Sequence, residues 1–126
     1  MNQPGRPTVD DSRPIFVQIA ELIENDILAG TLPEESQVPS TNEFAAFHRI
    51  NPATAGKGVN LLVDEGILYK RRGIGMFVAT GARERLVSKR REQFQTQYVR
   101  PLVTEAAKLG ISGAALVDMI REENDA

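Results

Sequence analysis

The side chains with the clearest chemical potential are cationic, and they are concentrated in the middle of the chain. Residues 48–91 contain ten lysines and arginines and three acidic residues, whereas residues 1–47 contain two basic and eight acidic residues. A cationic stretch of this kind is suited to bind the phosphates of nucleic acid. The same charges on a solvated helix face would have no ligand at all. The positions of these charges on helices and strands are therefore needed to choose between the two interpretations.

Other kinds of chemistry have little support in the composition. The 126 residues include no cysteine and a single histidine, His48, which excludes disulfides, thiolate ligands and a histidine metal cluster. We therefore expect no enzyme, no metal and no cofactor, and we predict that His48 lies at the surface or is partly packed. No apolar run is long enough to span a membrane, and the N-terminus lacks a signal core, so we expect a cytoplasmic protein with no membrane partner.

Two helices are predicted before the cationic stretch. The segment "PIFVQIAELIENDILAG" has apolar residues at helical spacing and Gly30 as its stop. In "STNEFAAFHR", Ser40 and Glu43 have the spacing of a capping box, and we expect the helix that follows to bury Phe44 and Phe47. The intervening "TLPEESQVP" is predicted to be a polar connection.

A third helix is predicted over residues 52–65, in spite of two interior glycines. Asn51 is a suitable N-cap and Pro52 a suitable first residue. Each glycine costs up to about 1 kcal/mol relative to alanine, which packing of the apolar side chains can offset. Gly58 borders the apolar face and is expected to permit close packing on a neighbouring helix, whereas Gly56 lies towards the polar face.

The next segment, "ILYKRRGIGMFVA", changes to a period typical of strands and predicts a β-hairpin with runs at 67–71 and 76–79. Three short helices followed by a hairpin are typical of a winged helix-turn-helix. The predicted fold is therefore mainly α with a small β-hairpin. We predict a flexible N-terminal arm (1–12), a winged helix-turn-helix DNA-binding domain (13–80) and a short helical dimerisation tail (81–126).

The tail contains apolar residues every four positions and ends in a short helix that begins near Ser112. Pro101 is expected to kink or break the first part. So short a segment can hardly enclose a core, so we predict that its apolar stripe forms a dimer interface, with packing within the chain as the alternative. The predicted interface residues are Phe94, Tyr98, Leu102, Ala106, Leu116 and Ile120.

A helix-turn-helix places the start of its second motif helix in the major groove of DNA. Ala53 and Lys57 lie opposite the apolar face of that helix, with Thr54 at the edge, and helix starts offer hydroxyls and backbone N–H groups to phosphates. The hairpin is expected to contact the backbone or the minor groove. Simple capping, solvated or edge-strand roles are the alternatives for these residues. The predicted DNA-binding residues are Ser40, Thr41, Asn42, Asn51, Pro52, Ala53, Thr54, Gly56, Lys57, Lys70, Arg71, Arg72, Gly73 and Gly75.

With these residues in place, the chain resembles the GntR family of bacterial transcriptional regulators, in particular its short YtrA-like branch. The resemblance runs through "VPSTNEFAA", "INPATAGKGVNLLVDEGILYKRRGIGMFV" and the short tail. It implies a tail that serves mainly for dimerisation and a role that is often repression of transporter operons. The family's usual arginines are replaced by Asn42 and Gly56, and many members have arginine where Pro52 stands, so those contacts are not transferred.

Our leading hypothesis is a sequence-specific transcriptional repressor that binds a palindromic operator in double-stranded DNA as a homodimer. The alternative is a winged-helix protein-interaction module without specific DNA readout. A small-molecule effector is left open, since no motif identifies one.

Overall fold

A computed structural model describes residues 13–126, and the predicted N-terminal arm lies outside this range. Within residues 13–126, no helix is both long and apolar enough to cross a membrane. The elements follow in the order α1 (Ile15–Ala29), α2 (Thr41–His48), α3 (Pro52–Asp64), β1 (Leu68–Arg71), β2 (Gly75–Val78), α4 (Ala82–Phe94), a π-helical turn (Gln95–Val99), α5 (Arg100–Lys108) and α6 (Gly113–Asp125). A mainly helical chain with one hairpin is confirmed.

The first three helices begin at the predicted residues, and α3 ends at Asp64, one residue before the predicted end. Gly30 terminates α1 with φ of 86°, and its N–H donates to the Ile27 carbonyl. The capping box of α2 is complete, with the Glu43 N–H donating to the Ser40 hydroxyl over 3.1 Å and the Ser40 N–H donating to the Glu43 carboxylate over 3.1 Å. In α3 the Asn51 Oδ1 accepts from the Ala53 N–H at 2.8 Å. These termini follow from local side-chain chemistry.

The hairpin is antiparallel and has a second neighbour. Strands β1 and β2 pair in the register from Leu68↔Val78 to Arg71↔Gly75. On the other edge of β2, the Val38 N–H donates to the Met76 carbonyl and the Val78 N–H donates to the Ser36 carbonyl, each over 2.9 Å. The segment predicted to be a plain polar connection thus pairs with β2. Its partner is about forty residues away in sequence, which a local pattern does not reveal.

One hydrophobic core joins α1, α2, α3, the hairpin and the start of α4. Gly58 is buried where α3 crosses α1, and a Cβ at this position would lie 2.8 Å from the Phe16 carbonyl oxygen and 2.9 Å from Ile19 Cγ2. The predicted close packing at Gly58 is therefore confirmed. The core residues are Ile19, Ala20, Ile23, Ile27, Val38, Phe44, Ala45, Ala55, Val59, Leu62, Ile67, Leu68, Val78, Ala82 and Leu86.

The predicted burial of Phe47 is wrong. Phe44 is 7% exposed, whereas Phe47 is 83% exposed. The buried face of α2 runs from Phe44 to Ala45, which lie about 100° apart around a helix, and Phe47 lies about 60° beyond Phe44 on the other side. Phe47 therefore faces solvent.

The chain divides into two compact units, one that ends at Val87 and one that comprises Ser88–Ala126. In the second unit the expected disturbance at Pro101 takes the form of a π-helical turn immediately before α5. Proline has no N–H for the preceding turn, and a locally widened helix is one way to accommodate that loss. Ser112 caps α6, with its hydroxyl accepting from the Ala115 N–H at 3.1 Å.

Candidate nucleic-acid interface

The first two turns of α3 present the side chains predicted to approach DNA. Pro52, Ala53 and Lys57 are exposed, whereas Thr54 is half-buried and borders a cleft between α3 and α1. The Lys57 ammonium lies 5.6 Å from the centre of the Phe16 ring. This cation–π contact is weak at an exposed position, so Lys57 remains available to a ligand. Thr54 is less accessible than its three neighbours.

The amide donors at the start of α3 are largely occupied. Pro52 has no N–H, and the N–H of Ala53 donates to the side chain of Asn51. Because Asn51 Oδ1 is the acceptor in this cap, its side-chain NH₂ group is the part left to donate outwards. The sequence predicts free backbone N–H groups at the starts of both helices. In the structure, α3 has fewer free N–H groups at its start than α2.

The start of α2 keeps more of its donors. The N–H groups of Thr41 and Asn42 open the helix, where no carbonyl of the same helix is in reach. The Ser40 hydroxyl accepts from the Glu43 N–H and is also hydrogen-bonded to the Glu43 carboxylate. The backbone hydrogen bond from Ser40, followed by the bond to the Ser40 hydroxyl, holds the pKa of Glu43 below its usual value. The carboxylate therefore stays ionised and preserves the cap.

The hairpin forms the wing. Its turn is Arg72–Ile74, with Gly73 at φ of 78°, while Lys70 and Arg71 belong to β1 and Gly75 to β2. Lys70, Arg71 and Arg72 are all exposed. The Arg71 guanidinium lies 5.3 Å from the centre of the Phe77 ring, which stacks on Tyr69 at 5.8 Å. The wing thus presents three cations, one of which is supported by an aromatic pair.

Gln37 links the wing to the start of α2. Its side-chain amide donates to the Ile74 carbonyl over 3.1 Å, and a Cβ at Gly75 would lie 2.6 Å from the Gln37 Nε2 atom. Ser40 follows three residues later, and a Cβ at Gly56 of α3 would lie 3.7 Å from Thr41 Cγ2. The wing, the start of α2 and α3 are therefore neighbours. Gln37 is not among the predicted residues, because a lone glutamine in a polar connection carries no pattern.

Glu35 fixes the base of the wing. Its carboxylate accepts hydrogen bonds from the hydroxyls of Tyr69 and Thr80, and its own N–H donates to the Val78 carbonyl over 2.8 Å. The bond from Thr80, followed by that from Tyr69, lowers the pKa of Glu35. The same contact with Glu35 raises the pKa of Tyr69. The sequence offers no signal for this network, because its members lie up to 45 residues apart.

His48 is the last residue of α2 and is exposed, with its ring centre 4.3 Å from that of Phe44 and 5.0 Å from that of Phe47. The prediction of a surface or partly packed histidine is confirmed. The contacts are aromatic, so His48 acts here as a packing residue beside the turn that leads to α3.

The second unit contains the residues predicted for a dimer interface. Phe94 and Tyr98 are exposed and form an aromatic pair with ring centres 5.6 Å apart. Leu102 of α5 and Leu116 and Ile120 of α6 line one shallow depression of about 380 Å³. Ala106 differs from the others because it is 5% exposed and is therefore already covered within its own chain.

Comparison with known proteins decides the family. Residues 16–78 match the model for bacterial regulatory proteins of the gntR family, which is half of the chain. This match includes α1 to α3 and the wing. The chain belongs to the gntR family.

The similarity of this GntR-family chain to short relatives extends through the second unit. It is 29% identical to the HTH-type transcriptional repressor YtrA of Bacillus subtilis over 88% of this chain and 85% of YtrA. The predicted resemblance to the YtrA-like branch is confirmed. Longer relatives match only in part: the repressor NagR of Bacillus subtilis is 36% identical over 52% of this chain but only 27% of its own length.

Solved structures of GntR-family proteins are also similar to this chain. A GntR-family regulator from Listeria monocytogenes has a TM-score of 0.70 at 26% identity and covers 90% of this chain and 98% of its own. One from Bacteroides thetaiotaomicron has a TM-score of 0.67 at 36% identity over 88% of this chain and 96% of its own. The AraR DNA-binding domain in complex with operator ORX1 has a TM-score of 0.51 at 28% identity and covers 59% of this chain and 90% of its own. The winged-helix fold of the family is thereby confirmed.

Proposed function

We propose that this GntR-family regulator is a repressor that binds a palindromic operator in double-stranded DNA as a homodimer. The single observation that carries the proposal is that α3, the start of α2 and the wing are neighbours. A Cβ at Gly56 would lie 3.7 Å from Thr41, and Gln37, three residues before Ser40, donates to the Ile74 carbonyl of the wing. Residues 13–80 would bind DNA and residues 81–126 would join two copies. Such a regulator acts in the cytoplasm, where the bacterial chromosome lies.

In this proposal α3 reads the bases. Lys57 is the only long cationic side chain among residues 52–64 of α3, and lysine suits the guanine acceptors of the major groove or a phosphate. Asn51 contributes its side-chain NH₂ group from the start of the helix. Pro52, Ala53 and Gly56 are small or rigid, so they favour close approach of the backbone to the base edges.

Phosphate contacts come from α2 and the wing. Thr41 and Asn42 offer backbone N–H groups at a helix start, where the helix dipole also favours an anion. The Ser40 hydroxyl hydrogen, which is engaged with the Glu43 carboxylate in the free protein, would turn to the same phosphate. Lys70, Arg71 and Arg72, with Gly73 and Gly75, would follow the backbone or enter the minor groove.

Dimerisation is supported by the apolar side chains that the second unit leaves exposed. Tyr98 is 60% exposed and Leu102 is 43% exposed. Two-fold pairing of these residues would bury them and would place two copies of α3 on two half-sites of DNA. The likeness to YtrA, which is named a repressor, and to AraR, whose structure is a complex with an operator, supports this proposal.

The decisive experiment is selection of genomic DNA fragments by the full chain, followed by footprinting of the best fragment. We expect two protected half-sites, related by a two-fold axis and separated by one or two helical turns. The same selection with Lys57→Ala should yield a different set of preferred operator bases from that selected by the wild-type chain.

Protection of one asymmetric site by a monomer would contradict the homodimer. Failure to retain any fragment at low salt would instead favour the protein-interaction module. If Lys57→Ala lowers the affinity for all fragments equally, Lys57 contacts a phosphate and does not read bases.

A further inference from the structure

Two residues other than glycine have a left-handed backbone among residues 13–126, Glu35 with φ of 68° and Arg49 with φ of 56°. This conformation brings Cβ close to the following carbonyl oxygen in any L-residue, and glycine avoids the clash. The side chain of Glu35 is held by hydrogen bonds at the base of the wing. Arg49 needs a different explanation.

The backbone of Arg49 is set by the turn between α2 and α3. Its N–H donates to the Ala46 carbonyl over 3.4 Å, and the Ile50 N–H donates to the Ala45 carbonyl over 2.9 Å. These bonds end α2 and lead the chain to Asn51, and glycine would make both of them at lower cost. The turn therefore requires the left-handed conformation but does not require an arginine side chain.

The side chain of Arg49 is exposed and has no carboxylate within ion-pair distance in the part of the chain that the structure describes. It precedes Pro52, the first residue of α3, by three positions, so its Cα lies within about 11 Å of the helix start. The major groove is about 12 Å wide and has phosphates along both walls. An arginine side chain that begins within this distance of a helix start inside the groove is long enough to reach one of those walls.

We propose that Arg49 is an additional DNA-contacting residue, whose guanidinium binds a phosphate beside the start of α3. The proposal rests on the proposed function, since it requires α3 to enter the major groove. A guanidinium presents a planar fork of donors that matches phosphate oxygens. The competing explanation is structural: a cation at the C-terminal end of α2 interacts favourably with the helix dipole.

The test compares Arg49→Gly with Arg49→Lys in the full chain. Affinity for a fluorescent DNA duplex of mixed sequence is measured over a series of salt concentrations, and the thermal midpoint is followed by circular dichroism. We expect Arg49→Gly to raise the thermal midpoint and yet to reduce the log–log salt slope by about 0.9 for each phosphate that is no longer bound. Arg49→Lys should keep both the slope and the midpoint near those of the wild type. Opposite changes in stability and affinity exclude unfolding as the cause of weaker binding.

Three outcomes would overturn the inference. A wild-type slope with a lowered midpoint in Arg49→Gly would assign the side chain to the end of α2. The Arg71→Ala/Arg72→Ala variant, measured in parallel, separates this result from a failure of the proposed function. If the wing variant weakens binding and Arg49→Gly does not, only the role of Arg49 is wrong. If the wild type does not bind the duplex even at the lowest salt, the proposed function fails as well.

Discussion

The two compact units of the chain differ in how completely they bury their apolar side chains. The unit that ends at Val87 buries isoleucines, leucines and valines from α1, α3 and the hairpin in one core. In Ser88–Ala126, Ala106 is the one buried residue, and large apolar side chains such as Tyr98, Val103 and Leu109 are exposed. Segments below about 40 residues rarely form a sufficient core alone. The first unit therefore has a core of its own, whereas the second leaves exposed the apolar side chains that the proposed dimer would cover.

The largest effect is expected where the first unit is packed most tightly. Gly58→Leu should lower the free energy of unfolding by about 3 kcal/mol or more, because even a Cβ meets the Phe16 carbonyl oxygen at 2.8 Å. Urea unfolding measures the change. Gly56→Ala is the matched control in the same helix: its Cβ would meet only Thr41 Cγ2 at 3.7 Å. It should stabilise the protein by up to about 1 kcal/mol, and similar decreases for both variants would contradict the packing argument.

The next effect concerns the second unit. Tyr98→Glu with Leu102→Glu should convert the proposed dimer into a monomer, since a charge on each exposed apolar residue opposes burial against a second copy. Light scattering after size-exclusion chromatography reports the mass. Phe47→Glu is the control, because Phe47 is also exposed but belongs to the first unit. A dimer that survives the double change, or that dissociates with Phe47→Glu, would move the interface to another surface.

A smaller effect is expected at the wing. Arg71→Ala with Arg72→Ala should weaken binding to all DNA sequences and reduce the salt slope by about 0.9 for each phosphate that these arginines neutralise. Lys108→Ala with Arg121→Ala removes the same charge from exposed positions of the second unit. This control should leave the slope unchanged. Equal slopes for the two variants would mean that net charge, and not the wing, determines the affinity.

The smallest effect is a pH dependence at the base of the wing. The hydrogen bonds from Thr80 and Tyr69 lower the pKa of Glu35 in the folded chain. Its contribution to stability is therefore present above the ordinary glutamate pKa and is lost as pH falls through the lowered value. Glu35→Gln should be slightly less stable than the wild type at neutral pH, and the difference should shrink on acidification. Thermal midpoints measured across this range test it, and a difference that stays constant would show that ionisation of Glu35 is not involved.

Much of the first unit was predictable because its signals are local. The capping box at Ser40 and Glu43, the cap at Asn51 and the glycine stop at Gly30 depend on residues a few positions apart. The β-rich runs of the hairpin are local signals too. The exposure of Phe47 was not predictable, because its burial depends on which face of α2 meets a neighbour.

The candidate DNA-binding surface was predictable as a set of residues but not as an arrangement. Lys57 and the wing arginines follow from their positions in a helix and a hairpin. The link from Gln37 to Ile74 joins residues 37 positions apart, and the unequal supply of backbone donors at α2 and α3 depends on how each cap is used. Neither feature leaves a periodic signal in the sequence.

The order of the elements, their caps, the clearance that Gly58 provides on one helix face and the family all follow from the amino-acid sequence alone. The pairing of Ser36 and Val38 with β2, the left-handed backbone at Arg49 and the exposure of Phe47 emerge only when the chain is folded. The physical reason is the separation in sequence between the residues that interact. Helix ends and turns depend on the chemistry of near neighbours, whereas edge pairing and the exposure of a given face depend on elements that folding brings together.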